Sequence, residues 1–182
     1  MTILKAAVLG AALVAATGAA AQDNPTVGGA PMMADMNIVE NAVNSPINTT
    51  LVAAVQAAGL VETLSGPGPF TVFAPTDAAF EALPAGTVET LLMPENRAML
   101  QKVLTAHVVP GTLTSAELVA GIGSDGYNNL TTVSGDALSV GTVDGAVVVY
   151  DESGNVYRVS TADVMQSNGV IHVVDGVLTP SM

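Results

Sequence analysis

The side chains whose types could do chemistry in this chain are few: two histidines, one Asp-Val-Met run and one Thr-Asp pair. His107 falls on an apolar helical stripe with Leu100, Val103 and Leu104, at spacings i, i+3, i+4 and i+7. His172 shares a strand face with Val170 and Val174. An imidazole in such a place serves as a base or ligand, or sits in the core with its nitrogens hydrogen-bonded, and the apolar neighbours of both favour the core. Asp163-Val164-Met165 sets a carboxylate beside apolar side chains at a strand end, offering an ion-pairing group and an anchor. The competing reading makes Asp163 a turn cap and Val164 a core residue. Thr76 and Asp77 follow Pro75 and read as helix N-caps first and a binding edge second.

Catalysis finds little support in these residues. The chain has no cysteine and no Gly-x-Ser-x-Gly elbow, so the usual pairings of nucleophile and base are missing. Asp151-Glu152 falls in a turn, where paired carboxylates are expected to be solvated. Gly66-Pro67-Gly68-Pro69 lacks the backbone donors that a phosphate loop needs. No cluster has metal-ligand spacing. The expectation is a protein without enzymatic activity, cofactor or metal.

The elements that must position these residues are marked by caps and turns. Lys5, an Ala-, Val- and Leu-rich run over 6–16 and Ala19-Ala20-Ala21 form an export signal over residues 1–21. The run is shorter than the roughly 20 strongly apolar residues of a spanning helix, so the mature form is expected to have no membrane span. The destination is the periplasm, the cell surface or the medium. An exported chain without cysteine must draw its stability from a core, and this economy fits a bacterial source. Without the leader, Arg97, Lys102 and Arg158 are the only basic side chains against 16 acidic ones, which argues against nucleic acid as a partner.

Residues 22–36, with Asn24-Pro25, Gly28-Gly29 and Pro31, read as a flexible mature N-terminus before a domain over 37–180. Helices are expected from residue 38, from Thr49 or Thr50 as cap to Gly59, over 78–83, from Thr87 to Leu92, and from Pro94 through His107. Phe70-Thr71-Val72-Phe73-Ala74 reads as a buried strand. Runs over 137–143, 146–150, 156–161 and 170–174, separated by Gly- and Asn-bearing turns, predict an antiparallel meander. Helices and one early strand followed by a β-rich half make an α+β domain.

The stretch from Gly68 to Phe80, GPFTVFAPTDAAF, resembles the first signature of the fasciclin domain family, and ADVMQSNGVIHVVDGVL, from Ala162 to Leu178, resembles its second. Leu104-Thr105-Ala106-His107 stands where the family has a Tyr-His motif, with Ala106 replacing the Tyr. The layout is similar to that of single-domain secreted bacterial members. The resemblance implies a wedge of two packed β-sheets with short helices clustered on one side. It also implies adhesion to a cell-surface or matrix protein, or to a glycan. Asp163-Val164-Met165 lies where animal members carry an Asp-Ile implicated in integrin binding, and His107, Thr76 and Asp77 complete the adhesion candidates that the resemblance supplies. The alternative is a periplasmic protein that binds a small molecule or glycan, since so apolar a composition can line a pocket as well as a core.

Overall fold

Local hydrogen bonds set most helix boundaries in the computed structural model, which describes residues 24–180 and leaves the expected leader outside them. Asn37 closes a capping box on α1 (Ile38–Asn44): its Oδ1 accepts from the amides of Val39 and Glu40, each at 3.0 Å, while Glu40 accepts from the Asn37 amide at 2.9 Å. α2 (Thr49–Ala58) ends on Gly59 at φ 73°, as expected. Its start corrects the sequence reading, because neither threonine caps it. The Asp77 carboxylate arrives from elsewhere in the chain and accepts from the Thr49 and Thr50 amides at 3.3 and 2.8 Å and from the Thr49 hydroxyl at 2.7 Å.

A short α3 (Val61–Leu64) follows, and then Thr76 caps α4 (Asp77–Glu81) by accepting from Ala79 N–H at 3.2 Å. After α5 (Thr87–Leu92), Pro94–Asn96 form a 3-10 turn that leads into α6 (Arg97–Ala106). α7 (Ser115–Ala120) was not anticipated, although Thr114 and Glu117 make a capping box at its start.

The strands are β1 (Phe70–Pro75), β2 (Val108–Pro110), β3 (Asn128–Thr131), β4 (Ala137–Val143), β5 (Ala146–Tyr150), β6 (Val156–Gln166) and β7 (Gly169–Val174). They form one sheet in the order β2-β1-β7-β6-β5-β4-β3. Only β1 and β7 pair in parallel. The expected meander is β4 to β7, but β6 runs on to Gln166 and belongs to both halves of the sheet. Its first residues pair with β5 and its last with β7, and its register with β7 shifts on either side of Thr161.

The two halves fold over a shared core in which Phe73, Val109 and Val174 from one meet Leu138, Val140 and Val149 from the other. The free edges meet where Val133 N–H donates to Val108 C=O at 2.8 Å. Strand alternation turns Val72, Ala74, Ile171 and Val173 the opposite way, against Leu51, Val55, Leu100 and Leu104 of the helices. This is the expected α+β wedge, with α1 to α6 on one side of two packed sheet layers, while α7 packs on β4 through Leu118.

The described part of the expected flexible N-terminus is instead docked. Asn24 donates to Met165 C=O at 2.6 Å and accepts from Met165 N–H at 3.0 Å, while Val27 and Met32 are buried in the helix-side core. Asn41 further holds Met33 by both of its backbone groups, at 2.9 and 2.7 Å. Turn-rich composition suggested freedom, but two apolar side chains and two asparagines tie the segment down.

Candidate functional site

His172 is placed by the parallel pairing of β7 with β1, which sets it opposite Phe73 with the ring centroids 5.6 Å apart. Its Nε2 lies 2.7 Å from Leu113 C=O and must donate to it. Nδ1 is therefore the acceptor, and it takes Asp163 N–H at 3.3 Å. This is a neutral imidazole, and burial holds its pKa below the ordinary value, against the opposing pull of the Leu113 carbonyl and the Asp163 charge.

Asp163 sits within the second register shift of β6, between Thr161 and Val164, at φ 58°, a conformation that Asp tolerates better than most residues with a side chain. Its carboxylate accepts from Ser115 N–H at 2.6 Å and from the Ser115 hydroxyl. Ser115 opens α7, so an acid from β6 satisfies a free amide of that helix beside the Thr114–Glu117 capping box. Hydrogen bonds from the amide and hydroxyl of Thr114 hold the Glu117 carboxyl below its usual range.

His107 serves a separate junction at the end of α6. Nδ1 donates to Val103 C=O at 2.7 Å and Nε2 accepts from Leu178 N–H at 2.8 Å. Burial lowers its pKa to about 4. The next residue, Thr179, donates through its hydroxyl to Asp151 at 2.8 Å and through its amide at 3.3 Å. Asp151 also accepts from the Asn155 amide and side chain at 2.9 and 3.0 Å and from the Tyr157 hydroxyl at 3.3 Å. Burial works to raise the Asp151 carboxyl, yet the hydrogen bonds from Asn155 and Thr179 outweigh it and leave the pKa lowered. The solvated turn expected for Asp151-Glu152 is thus corrected. Asp151 is buried and fixes the C-terminal stretch, and Glu152 accepts from Ala137 N–H at 3.0 Å.

The sequence candidates therefore scatter over distinct tasks. Asp163 and His172 are brought together, while Thr76 and Asp77 cap two different helices. The Asp77 carboxyl is opposed by burial but lowered overall by hydrogen bonds from Thr50 and Thr49. Val164 is fully buried in the helix-side core, so the anchor expected beside Asp163 has no surface to offer a partner. Met165 is half-buried, with its backbone taken by Asn24.

Sequence reasoning missed Ser115, Asp151 and Thr179 as members of these junctions. The Thr114-x-x-Glu117 pattern was the available signal for the first, and nothing local marks the other two. Among the described residues no buried side-chain nitrogen or oxygen lacks a partner, and no group of three or more His, Cys, Asp and Glu is placed to hold a metal ion. What this arrangement does chemically is clamp backbone segments, with each imidazole donating to one and accepting from another.

Comparison with known proteins bears on the same region. The fasciclin domain family model matches residues 47–180. Protein sll1483 of Synechocystis sp. is 52% identical over 147 residues, spanning 81% of this chain and 75% of the relative. Transforming growth factor-beta-induced protein ig-h3 of Sus scrofa is 42% identical over 130 residues, spanning 71% of this chain and 17% of that protein. A solved FAS1 domain pair from the insect cell adhesion molecule Fasciclin I shares the fold at a TM-score of 0.71 and 22% identity, over 79% of this chain and 51% of that one.

Proposed function

The chain belongs to the fasciclin domain family, and from that premise we propose that it is exported and acts outside the cytoplasm as a non-catalytic adhesion module. The observation that carries the reading is the full commitment of both imidazoles and of the Asp163 carboxylate to other groups of this chain, which leaves the outer surface to do the work. The description of Fasciclin I as a cell adhesion molecule and the leader over residues 1–21 support it.

We assign the contact to the corner built by α7 and the loop after it. Asn128 Nδ2 donates to Leu118 C=O at 2.9 Å and Gly123 N–H to Tyr127 C=O at 2.9 Å, so the loop is fastened to the helix. This corner exposes Val119 and Tyr127, at 42% and 41%, and aromatic and aliphatic groups on a firm backbone are what a protein partner buries best. Asp163 contributes by positioning α7, and the partner is a cell-surface or matrix protein, or a glycan.

The test is attachment of a deletion strain complemented with wild type or with the Val119→Asp, Tyr127→Asp double variant. Loss of attachment in the deletion strain, restored by wild type and not by the equally abundant variant, is expected. Attachment by the deletion strain equal to that of wild type would overturn the adhesive reading, and full rescue by the variant would overturn the assigned face.

A further inference from the structure

α1 buries only one of its faces. Ile38 enters the helix-side core and Asn41 is fully buried, while Met36, Val39 and Val43 recur at i, i+3 and i+7 along an open hollow on the outer side. Met36 and Val39 are half-buried, and Val43 at 58% is more exposed than any other large apolar side chain among the described residues. Asp35, Glu40 and Asn44 complete the lining of the hollow, which contains no Lys or Arg. The backbone beneath it is fixed. Ser167 N–H donates to Met36 C=O at 2.9 Å, Ile38 N–H donates to Asn168 Oδ1 at 3.0 Å, and the Asn41 side chain bonds to that of Gln166. A partner therefore meets a preformed apolar stripe about 10 Å long, with a methionine able to adapt its shape.

Charge decides what can cover this stripe. Residues 24–96 carry seven acidic side chains and no Lys or Arg, so the region around α1 draws cations. The Asp35 carboxylate has no partner among the described residues, and Glu40 gives the Asn37 amide only one of its two oxygens. A second copy of this chain is a poor occupant, because it brings the same acidic face, with Arg97 turned to Ala58 C=O and Lys102 paired with Asp136. Anionic lipid is repelled for the same reason.

We propose that the outer face of α1 docks a basic amphipathic segment of a partner protein, with apolar side chains on Met36, Val39 and Val43 and Lys or Arg beside Asp35 and Glu40. The proposal goes beyond the adhesive reading and does not rest on it. α1 lies on the helix side of the domain and α7 packs on β4, so the two faces are separate. Together they would supply the two contacts that bridging by a single domain requires.

The test is fluorescence anisotropy of a labelled helical Leu-Lys peptide titrated with the purified protein, beside a Leu-Glu peptide of the same length and polylysine. One saturable site is expected for the Leu-Lys peptide, weakening as salt is raised, with polylysine bound at least tenfold more weakly and the Leu-Glu peptide not at all. Val43→Lys, at an exposed position, should weaken binding at least tenfold with unchanged circular dichroism. Asp35→Asn with Glu40→Gln, which keeps the capping box, should weaken it several-fold and flatten the salt dependence. Val156→Lys, also at an exposed valine, should leave binding unchanged, as should Asp144→Asn with Glu95→Gln, which removes as much charge elsewhere. Methyl NMR of the wild type keeps the test independent of whether the variants fold: the Leu-Lys peptide should shift Met36, Val39 and Val43. The absence of saturable binding, equal binding of the Leu-Glu peptide, wild-type affinity in both α1 variants, or methyl shifts confined to other residues would overturn the proposal. Self-association abolished by Val43→Lys, in place of peptide binding, would also overturn it by giving the face to a second copy. None of these outcomes bears on Val119 and Tyr127, so the adhesive reading stands or falls separately.

Discussion

His107 and His172 flank the same residue of β1, the first accepting the Phe73 amide on its carbonyl and the second stacking on the Phe73 ring, and they perform the same task in opposite tautomers. His107 carries its proton on Nδ1 and joins the last turn of α6 to the C-terminal stretch; His172 carries it on Nε2 and joins the loop before α7 to β6. Both rings are buried and bond only to main-chain groups, but the first junction is closed because Leu178 is itself buried. The second is open on one side, because the residue that donates to the ring also sends its half-buried carboxylate to Ser115. A buried imidazole suits both places since it donates and accepts at once without carrying charge. The difference shows how a residue with the look of a binding group, Asp163, comes to stand near the surface for reasons of folding.

Breaking each bracket should expose this difference. His107→Ala strands Val103 C=O and Leu178 N–H, and at roughly 1–3 kcal/mol for each unsatisfied buried group plus a cavity, a loss of about 3–4 kcal/mol in urea unfolding is expected. His172→Ala should cost less, about 2 kcal/mol, because its partners lie nearer solvent. Equal losses would remove the distinction between closed and open junctions.

Acid should act through the closed junction next. Because the His107 pKa falls from 6.5 in the unfolded chain to about 4 in the folded one, the unfolded chain binds more protons between those values. Stability therefore declines as pH drops from about 6.5 to about 4, by on the order of 3 kcal/mol. His172 adds to the decline in the same direction. Asp77 and Asp151, whose pKa values are lowered, lose their contributions only at more acid pH, below the usual carboxylate range. Unfolding measured across this window should show the slope, and His107→Gln should flatten it; an unchanged slope would exclude His107 as its source.

The smallest effect should come from the open side. Asp163→Ala removes the two hydrogen bonds to Ser115 and leaves an alanine at φ 58°, for a loss of about 1–2 kcal/mol, while Asp163→Asn keeps a capping oxygen and should cost about half as much. Melting temperatures in that order would fit a helix-capping role, and unchanged melting temperatures for both variants would contradict it.

Much of the fold was legible because its punctuation is local. Gly59 ends α2, Thr76 starts α4, and the turns at Asp144-Gly145 and Ser153-Gly154 delimit β4, β5 and β6, each through a residue whose own backbone or side chain does the work. β2 escaped notice because it has three residues, and β3 because Asn128-Asn129-Leu130-Thr131 is mostly polar. The second half of β6 was hidden by Thr161-Ala162-Asp163, which carries no apolar alternation and holds a positive φ. The site was less legible. Asp77 on α2, Asp163 on α7 and Asp151 on Thr179 are caps and clamps supplied from 28 or more residues away, and only the folded sheet brings them to their targets.

The most direct test of the view that these chemistry-bearing side chains hold the domain together is nitrogen-15 NMR of the two imidazoles between pH 4 and 8. Two neutral rings are predicted at pH 7, His107 protonated on Nδ1 and His172 on Nε2, with His107 becoming charged only near pH 4 and His172 only below the ordinary histidine value. Either ring titrating near 6.5, or both rings in one tautomer, would contradict it.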